Sequence, residues 1–369
     1  MFRLSAVGVL MLAASVLSVP ATSAAEASAG GIAEARTVAV TQDFPAGFEG
    51  YHTYAEMVDL IQALAAAHPN LVSVGSIGLS YEGRQIPVVK ISDHVTIDED
   101  EPEILIDGLH HAREHLSAEQ AIAIIEMLVD GYGSNERTHK LVDSREWWIV
   151  PMLNPDGGEW DIRNGSFHHW RKNRQPNGEG NPVGTDLNRN YGAFWGCCGG
   201  SSSSYGALDY RGAAPFSAPE AAAMRDFVRG RVIAGDQQIA THMTFHSTGE
   251  QVLWPWAHTY ANRGEGMSRD EHGVFVALGN TMAALSGYTA KQGSDLYITD
   301  GDEVDWMFDR QGIFSFTIEL YPAGGGADRY YPDDSLIERE TSRNFEAVLY
   351  LARKSACPWK VIGEAGTYC

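Results

Sequence analysis

The stretch EILIDGLHHAREHLSAEQAIAIIEMLV, residues 103–129, decides how this chain folds. Residues 103–108 form a short apolar run closed by a glycine, the pattern of a buried strand. Residues 117–129 then carry Ala121, Ile124, Ile125 and Leu128 at helical spacing, with Ser117 and Gln120 set as a capping box. A strand that enters a helix through residues 110–115 puts that polar loop at the strand's carboxyl end, where open α/β sheets bind ligands.

The same alternation runs outward in both directions. Residues 54–67 read as a helix, with Met57, Leu60, Ile61 and Leu64 on one face and His68-Pro69-Asn70 as the stop. Residues 71–77 and 85–91 read as strands joined by the turn Tyr81-Glu82-Gly83, and 147–152 as a strand ending in the turn Asn154-Pro155-Asp156-Gly157. Residues 219–229, 271–286 and 338–354 follow as helices, and 238–245 and 314–320 as strands. The segment 158–210 is long and aperiodic, and its arginine and aromatic content marks a working loop. The predicted fold is therefore a single α/β domain with a mixed, largely parallel central sheet flanked by helices.

At the N-terminus, Arg3, an apolar run over residues 7–19 and small residues at 21–25 fit a cleaved secretory signal over 1–25. The run is shorter than the roughly 18 to 20 residues of a membrane span. A secreted, extracellular protein free of the membrane after cleavage is expected. Residues 26–47 form a short leader or propeptide, too small for a folded pro-domain, before a main domain over 48–356 and a tail over 357–369.

Four cysteines in an exported chain point to two disulfides. Cys357 and Cys369 would close the tail, while Cys197 and Cys198, adjacent in sequence, bridge each other or stay reduced. A net charge of -21 excludes a nucleic-acid partner, which needs a basic surface. The acidic run 98–103 is read as a solvated loop, with a structural Ca²⁺ site as the second reading. A monomer is expected.

Three strand ends carry groups that bind a metal or move a proton: His111 and Glu114 after one, His246 after another, Glu319 near the end of a third. Two imidazoles and one carboxylate supply the three protein ligands of a catalytic Zn²⁺ and leave a position open. The H-x-x-E spacing alone is common, but Gly108-Leu109-His110-His111-Ala112-Arg113-Glu114 is more specific. Here the sequence resembles the zinc metallocarboxypeptidase family, from about Tyr51 to about Leu351. Further motifs follow in the family's order: Trp170-Arg171-Lys172, Asp186-Leu187-Asn188-Arg189-Asn190, Phe245-His246-Ser247, Tyr297 followed by residues 301–306, which resemble the family's mobile tyrosine loop, and Phe316-Thr317-Ile318-Glu319-Leu320.

The resemblance implies a peptide hydrolase that removes the last residue from peptide or protein C-termini. It implies one Zn²⁺ on His111, Glu114 and His246, Glu319 as general base, and Arg171 beside the scissile carbonyl as the oxyanion's partner. Arg189 and Asn188 suit a grip on the substrate's terminal carboxylate, because a guanidinium fork matches two oxygens. Arg113 is an accessory site, Tyr297 closes over the bound residue, and Asp186 orients His111. Val304 at the pocket floor and Thr317 on its wall imply release of hydrophobic or aromatic residues, with Asp302 and Glu303 leaving basic ones open. His242, His168 and His258 are left as structural. The sequence departs from many digestive relatives at Thr248, where they carry tyrosine. Cell-wall peptides as substrate, or a non-catalytic binding module, are competing readings. Asn188, Arg189 and Tyr297 speak against the first, and retention of the ligands and the base against the second.

Overall fold

In the computed structural model, which describes residues 43–178 and 183–369, the apolar runs are strands buried on both faces. In Glu103–Asp107 every residue is buried; Ile104 and Ile106 enter one core and Leu105 the other. The next strand repeats this, with Trp147 and Ile149 on the first side and Val150 on the second. Burial on both faces is why these strands are continuously apolar, without a polar alternation.

Eight strands make the sheet: β1 (Val72–Leu79), β2 (Gln85–Ile91), β3 (Glu103–Asp107), β4 (Glu146–Val150), β5 (Ile239–Ser247), β6 (Gln251–Trp254), β7 (Thr289–Gln292) and β8 (Phe314–Leu320). Their spatial order is β1-β2-β4-β3-β5-β8-β6-β7. The central four, β4-β3-β5-β8, are mutually parallel, whereas β1, β2 and β6 pair antiparallel at the flanks. This is the mixed, largely parallel sheet read from the sequence. Helices α1 (Tyr54–Ala67), α2 (His115–Tyr132), α6 (Arg269–Ser286) and α9 (Phe345–Ser355) supply one core. Helix α5 (Pro219–Gly230) and most of α7 (Glu303–Gln311) supply the other. The shorter α3 (Glu136–Val142), α4 (Pro155–Asp161) and α8 (Ile337–Ser342) fill the connections.

Several local expectations need correction. Helix α2 starts at His115, and Ser117 does not cap it: its hydroxyl donates to the Glu114 carbonyl (2.6 Å) and accepts from the Leu109 N–H (2.9 Å). The turn expected at Asn154 is the cap and first turn of α4, because the Asn154 side chain accepts from the Gly157 N–H. Residues 303–306, expected as loop, open α7, which Asp302 caps by accepting from the Asp305 N–H (2.8 Å). The closing helix is two pieces, α8 and α9. Between them the Asn344 amide turns inward to the Gln120 side chain and the Glu340 carbonyl. Strands β6 and β7 were not foreseen, being only four residues long.

The expected signal and residues 26–42 of the expected leader lie outside the described residues. Phe44, from the leader's end, is buried in the core against Tyr51, His115 and Phe167. Cysteines 357 and 369 are bridged, and Cys197 is bridged to Cys198. In the acidic run considered for calcium, Arg231 binds Asp98 (2.7 Å) and Glu103 (2.9 Å), and Lys90 binds Glu146 (2.7 Å). The protein's own cations thus take the carboxylates of Asp98, Glu103 and Glu146. Among the described residues no helix is long and apolar enough to cross a membrane.

Candidate active site

Strands β3, β5 and β8 lie side by side, so the groups at their carboxyl ends converge. Glu319 on β8 pairs in register with His246 on β5, and Asp107, the end of β3, pairs with Thr244. The chain then crosses from β3 to α2 through Gly108 and Leu109. A Cβ on Gly108 would stand 2.4 Å from the Ser117 carbonyl oxygen, so only glycine allows the loop to fold against the helix start. That fold brings His111 and Glu114 under His246.

The three side chains are buried, and one ligand atom of each lies within 4.8 Å of the others. His111 Nδ1 is 2.9 Å from Glu114 Oε1 and 3.1 Å from His246 Nδ1, which is itself 3.0 Å from Glu114 Oε2. His111 Nε2 faces Asp186 Oδ1 at 3.1 Å, which fixes the proton there and turns the Nδ1 lone pair inward. Burial pushes the His246 imidazole down to about 4, which keeps that ring neutral. Two imidazole lone pairs 3.1 Å apart, with a carboxylate spanning them, repel each other unless a cation joins them. The donor set and its spacing fit Zn²⁺.

Around this centre stand the other expected residues. Burial alone would push the Asp186 carboxyl up, but Arg171, His111 and Arg189 hold it well below its ordinary range. It also takes Nε and Nη2 of Arg171, at 2.9 and 2.8 Å, leaving Arg171 Nη1 3.4 Å from His111 Nδ1. Glu319 is half-buried on the pocket wall, where desolvation and the Glu114 charge push it up to about 8. Asn188 is fixed by its Oδ1, which accepts from the Glu303 N–H (2.9 Å), and its Nδ2 lies 3.4 Å from His246 Nε2.

A pocket of about 510 Å³ opens beside the centre, lined by His111, Asn188, Arg189, Tyr297, Thr317 and Glu319 among others. Its lining also includes the buried Leu253, Ala257 and Val304, the exposed Leu296, and Asp302 and Asp305. A second hollow, shared through Arg189 and Tyr297, adds Arg113, Arg171 and Tyr330. Tyr297 is half exposed and borders both. Every expected site residue is thus near the pocket or the ligand centre. Glu303, expected near the pocket, instead points into the interior, where it accepts from Tyr191 (3.0 Å) beside His110. Asp305 and the β6 residues escaped the sequence reading; the Val304-Asp305-Trp306 start of a helix was the available signal. His242 is buried against Asp107 and Ser315, His168 bonds the Asp161 carbonyl, and His258 holds Asp305.

Ligands beyond the carboxyl ends of parallel strands, with a metal-type centre, a buried acid and an arginine-lined pocket, define a metal-dependent hydrolase on an α/β sheet. The chain belongs to the zinc carboxypeptidase family, whose model matches residues 57–347. It is 46% identical to a zinc carboxypeptidase of Saccharothrix mutabilis subsp. capreolus over 324 residues, covering 88% of this chain and 74% of the relative. Among solved structures it superposes on thrombin activatable fibrinolysis inhibitor with a TM-score of 0.74 and 28% identity, over 83% of this chain and 74% of that one. For carboxypeptidase A from Helicoverpa armigera the values are 0.71 and 27%, over 83% and 73%. Membership makes the chain a metallopeptidase acting at peptide C-termini, with a catalytic Zn²⁺.

Proposed function

We propose that this chain is a secreted carboxypeptidase that releases hydrophobic and aromatic residues, and also basic ones, with His111, Glu114 and His246 as its zinc ligands. The observation that carries the ligand assignment is the 3.1 Å approach of two imidazole nitrogens over one carboxylate. When bound, zinc supplies a Lewis acid that polarises the scissile carbonyl and lowers the pKa of water towards about 7.

The protein's own groups do the rest. Glu319 takes the proton of the attacking water and returns it to the leaving amine, serving as base and then acid. Arg171 is braced on its Nε and Nη2 edge by Asp186, so its Nη1, 3.4 Å from His111 Nδ1, faces the ligand centre where the oxyanion would develop. Arg189 uses Nε on the Gly200 carbonyl and Nη1 on the Asn188 carbonyl. Its Nη2 has no protein partner among the described residues and is the group offered to the terminal carboxylate, with Arg113 as the accessory cation. Tyr297, bordering both hollows, is suited to closing over the bound residue and excluding water.

Specificity follows from the pocket's end. Val304, Leu253 and Thr317 favour an apolar side chain, and Asp302 adds a carboxyl for a basic one. Burial and the neighbouring Asp305 push Asp302 up to about 7. Below that pH Asp302 is neutral, and above it Asp302 adds a negative charge to the pocket end. Secretion rests on the N-terminal pattern of residues 1–25, with residues 26–47 as a short leader. Calcium forms no part of this proposal.

The test is a panel of blocked dipeptides differing only in the last residue, assayed with and without a chelator. Release that is strongest for Phe and Leu, appreciable for Arg and Lys, and lost with the chelator is expected. Release confined to acidic residues would refute the pocket assignment.

A further inference from the structure

Arg189 is held on one side by a loop that contributes none of the metal-centre side chains and reaches the site only through Gly199 and Gly200, which line the second hollow. This is the segment 196–201, which contains the Cys197–Cys198 bridge. Its Gly200 carbonyl accepts from Arg189 Nε at 3.1 Å. What fixes that carbonyl is a single carboxylate. Asp300 Oδ2 accepts from the N–H of Cys198 (3.0 Å) and of Gly200 (2.9 Å), and its Oδ1 accepts from the Ser201 hydroxyl.

Asp300 itself is 1% exposed, and among the described residues no charged side chain bonds it. Burial alone would push its carboxyl up; the Ser201 hydroxyl and the N–H groups of Cys198, Gly200 and Gly196 overturn that and hold it below its ordinary value. The fit is tight in both directions. A Cβ on Gly200 would stand 2.4 Å from the Thr299 backbone, and one on Gly301 would stand 2.6 Å from the Arg189 carbonyl oxygen. The Gly301 carbonyl in turn accepts from the Tyr191 N–H at 2.9 Å. Residues 299–301, which follow Tyr297, thus pack against the Gly200 loop through Thr299 and against the Arg189 backbone through Gly301.

We propose that Asp300 is a positioning residue for the substrate-carboxylate clamp, holding the 196–201 loop so that Gly200 aims the Arg189 guanidinium. This rests on the clamp role proposed above for Arg189. Asp300 touches no substrate; it acts through backbone donors. The bridge between Cys197 and Cys198 limits the conformations open to the loop that supplies those donors, so it serves the same end.

The experiment reads product binding without turnover, as inhibition by L-phenylalanine compared with L-phenylalaninamide, on the zinc-loaded full chain. Asp300→Asn puts an amide N–H₂ or a weaker acceptor against the two N–H donors. It is expected to weaken L-phenylalanine inhibition roughly tenfold, the cost of one misplaced charge-assisted hydrogen bond, with zinc content unchanged and amide inhibition altered far less. Ser201→Ala, which removes one hydroxyl donor, is expected to give about a threefold loss in the same direction and serves if Asp300→Asn fails to fold. Phosphine reduction in a Cys357→Ser/Cys369→Ser background, which opens only the vicinal bridge, should also weaken L-phenylalanine inhibition. Unchanged inhibition in a folded Asp300→Asn protein, or in Ser201→Ala where the first variant does not fold, overturns the inference. Arg189→Ala separates the two levels. If it weakens L-phenylalanine inhibition and Asp300→Asn does not, only the positioning role falls. If Arg189→Ala has no effect, the clamp itself falls and takes the positioning role with it.

Discussion

Glu319 and Asp302 are both carboxyls whose surroundings push them towards neutrality, and each makes a different demand on pH. Glu319 has to be ionised to accept a proton. Its carboxyl rises from 4.5 to about 8 in the protein alone, and a neighbouring divalent cation pulls the other way. The acid limb of kcat/KM is therefore expected between those two values, with activity rising as pH rises through it. Glu319→Gln should lower kcat by at least about a hundredfold while zinc content by elemental analysis stays at one per chain. Normal turnover in that variant would remove Glu319 from the mechanism. For Asp302 the group's ionised form is favoured only above about 7. The ratio of Arg to Phe release should climb between pH 6 and 8, and Asp302→Asn should flatten that climb. At this scale the sequence was most legible where chemistry is rare, as in His111, Glu114, His246 and Glu319. It was least legible where direction matters, since nothing in the string Asp302-Glu303-Val304-Asp305 says that Glu303 turns inward while its neighbours line the pocket.

The junction between β3 and α2 is the element on which the ligand pair depends. Ser117 sits in it as a brace, taking the Leu109 N–H and donating to the Glu114 carbonyl, and Gly108 lies against the same turn. Ser117→Ala leaves the buried Leu109 N–H without its partner and should cost about 1 to 3 kcal/mol in denaturant unfolding, with a matching loss of zinc affinity. Gly108→Ala should be worse, because its Cβ meets backbone that has no room to yield. A Gly108→Ala protein as stable as the parent would show that the turn can relax. The sequence pattern located this strand, loop and helix but assigned Ser117 to a cap, because a Ser-x-x-Gln spacing looks the same whether the hydroxyl caps a helix or ties back to the strand before it. Elements β6 and β7 were missed for a simpler reason: four residues are too few to show a period. Helix α7 was hidden by a family motif that describes residues 301–306 as a loop, although Asp302 is a good N-cap.

For the molecule as a whole, the central parallel strands supply the platform and the ligands tie it together. Zinc binds the folded chain and not the unfolded one, so it adds stability by mass action. Removing it with a chelator should lower the melting temperature as well as abolish turnover, and adding zinc back should restore both. A chelated protein with an unchanged melting temperature would mean that the three ligands are not bridged by metal in the folded state. The alternation of strand and helix signals disclosed this architecture from sequence. The spatial order of the strands was not disclosed, because it depends on which apolar faces meet, and those contacts join residues far apart in the chain.

The pairing of β5 with β8 carries a consequence for biosynthesis. His246 and Glu319 become neighbours only when the last central strand has been made and inserted, by which time most of the polypeptide has left the ribosome. A nascent or prematurely terminated product carries two of the three clustered groups early but lacks Glu319, and on the assignment proposed here it would be inert towards the proteins around it.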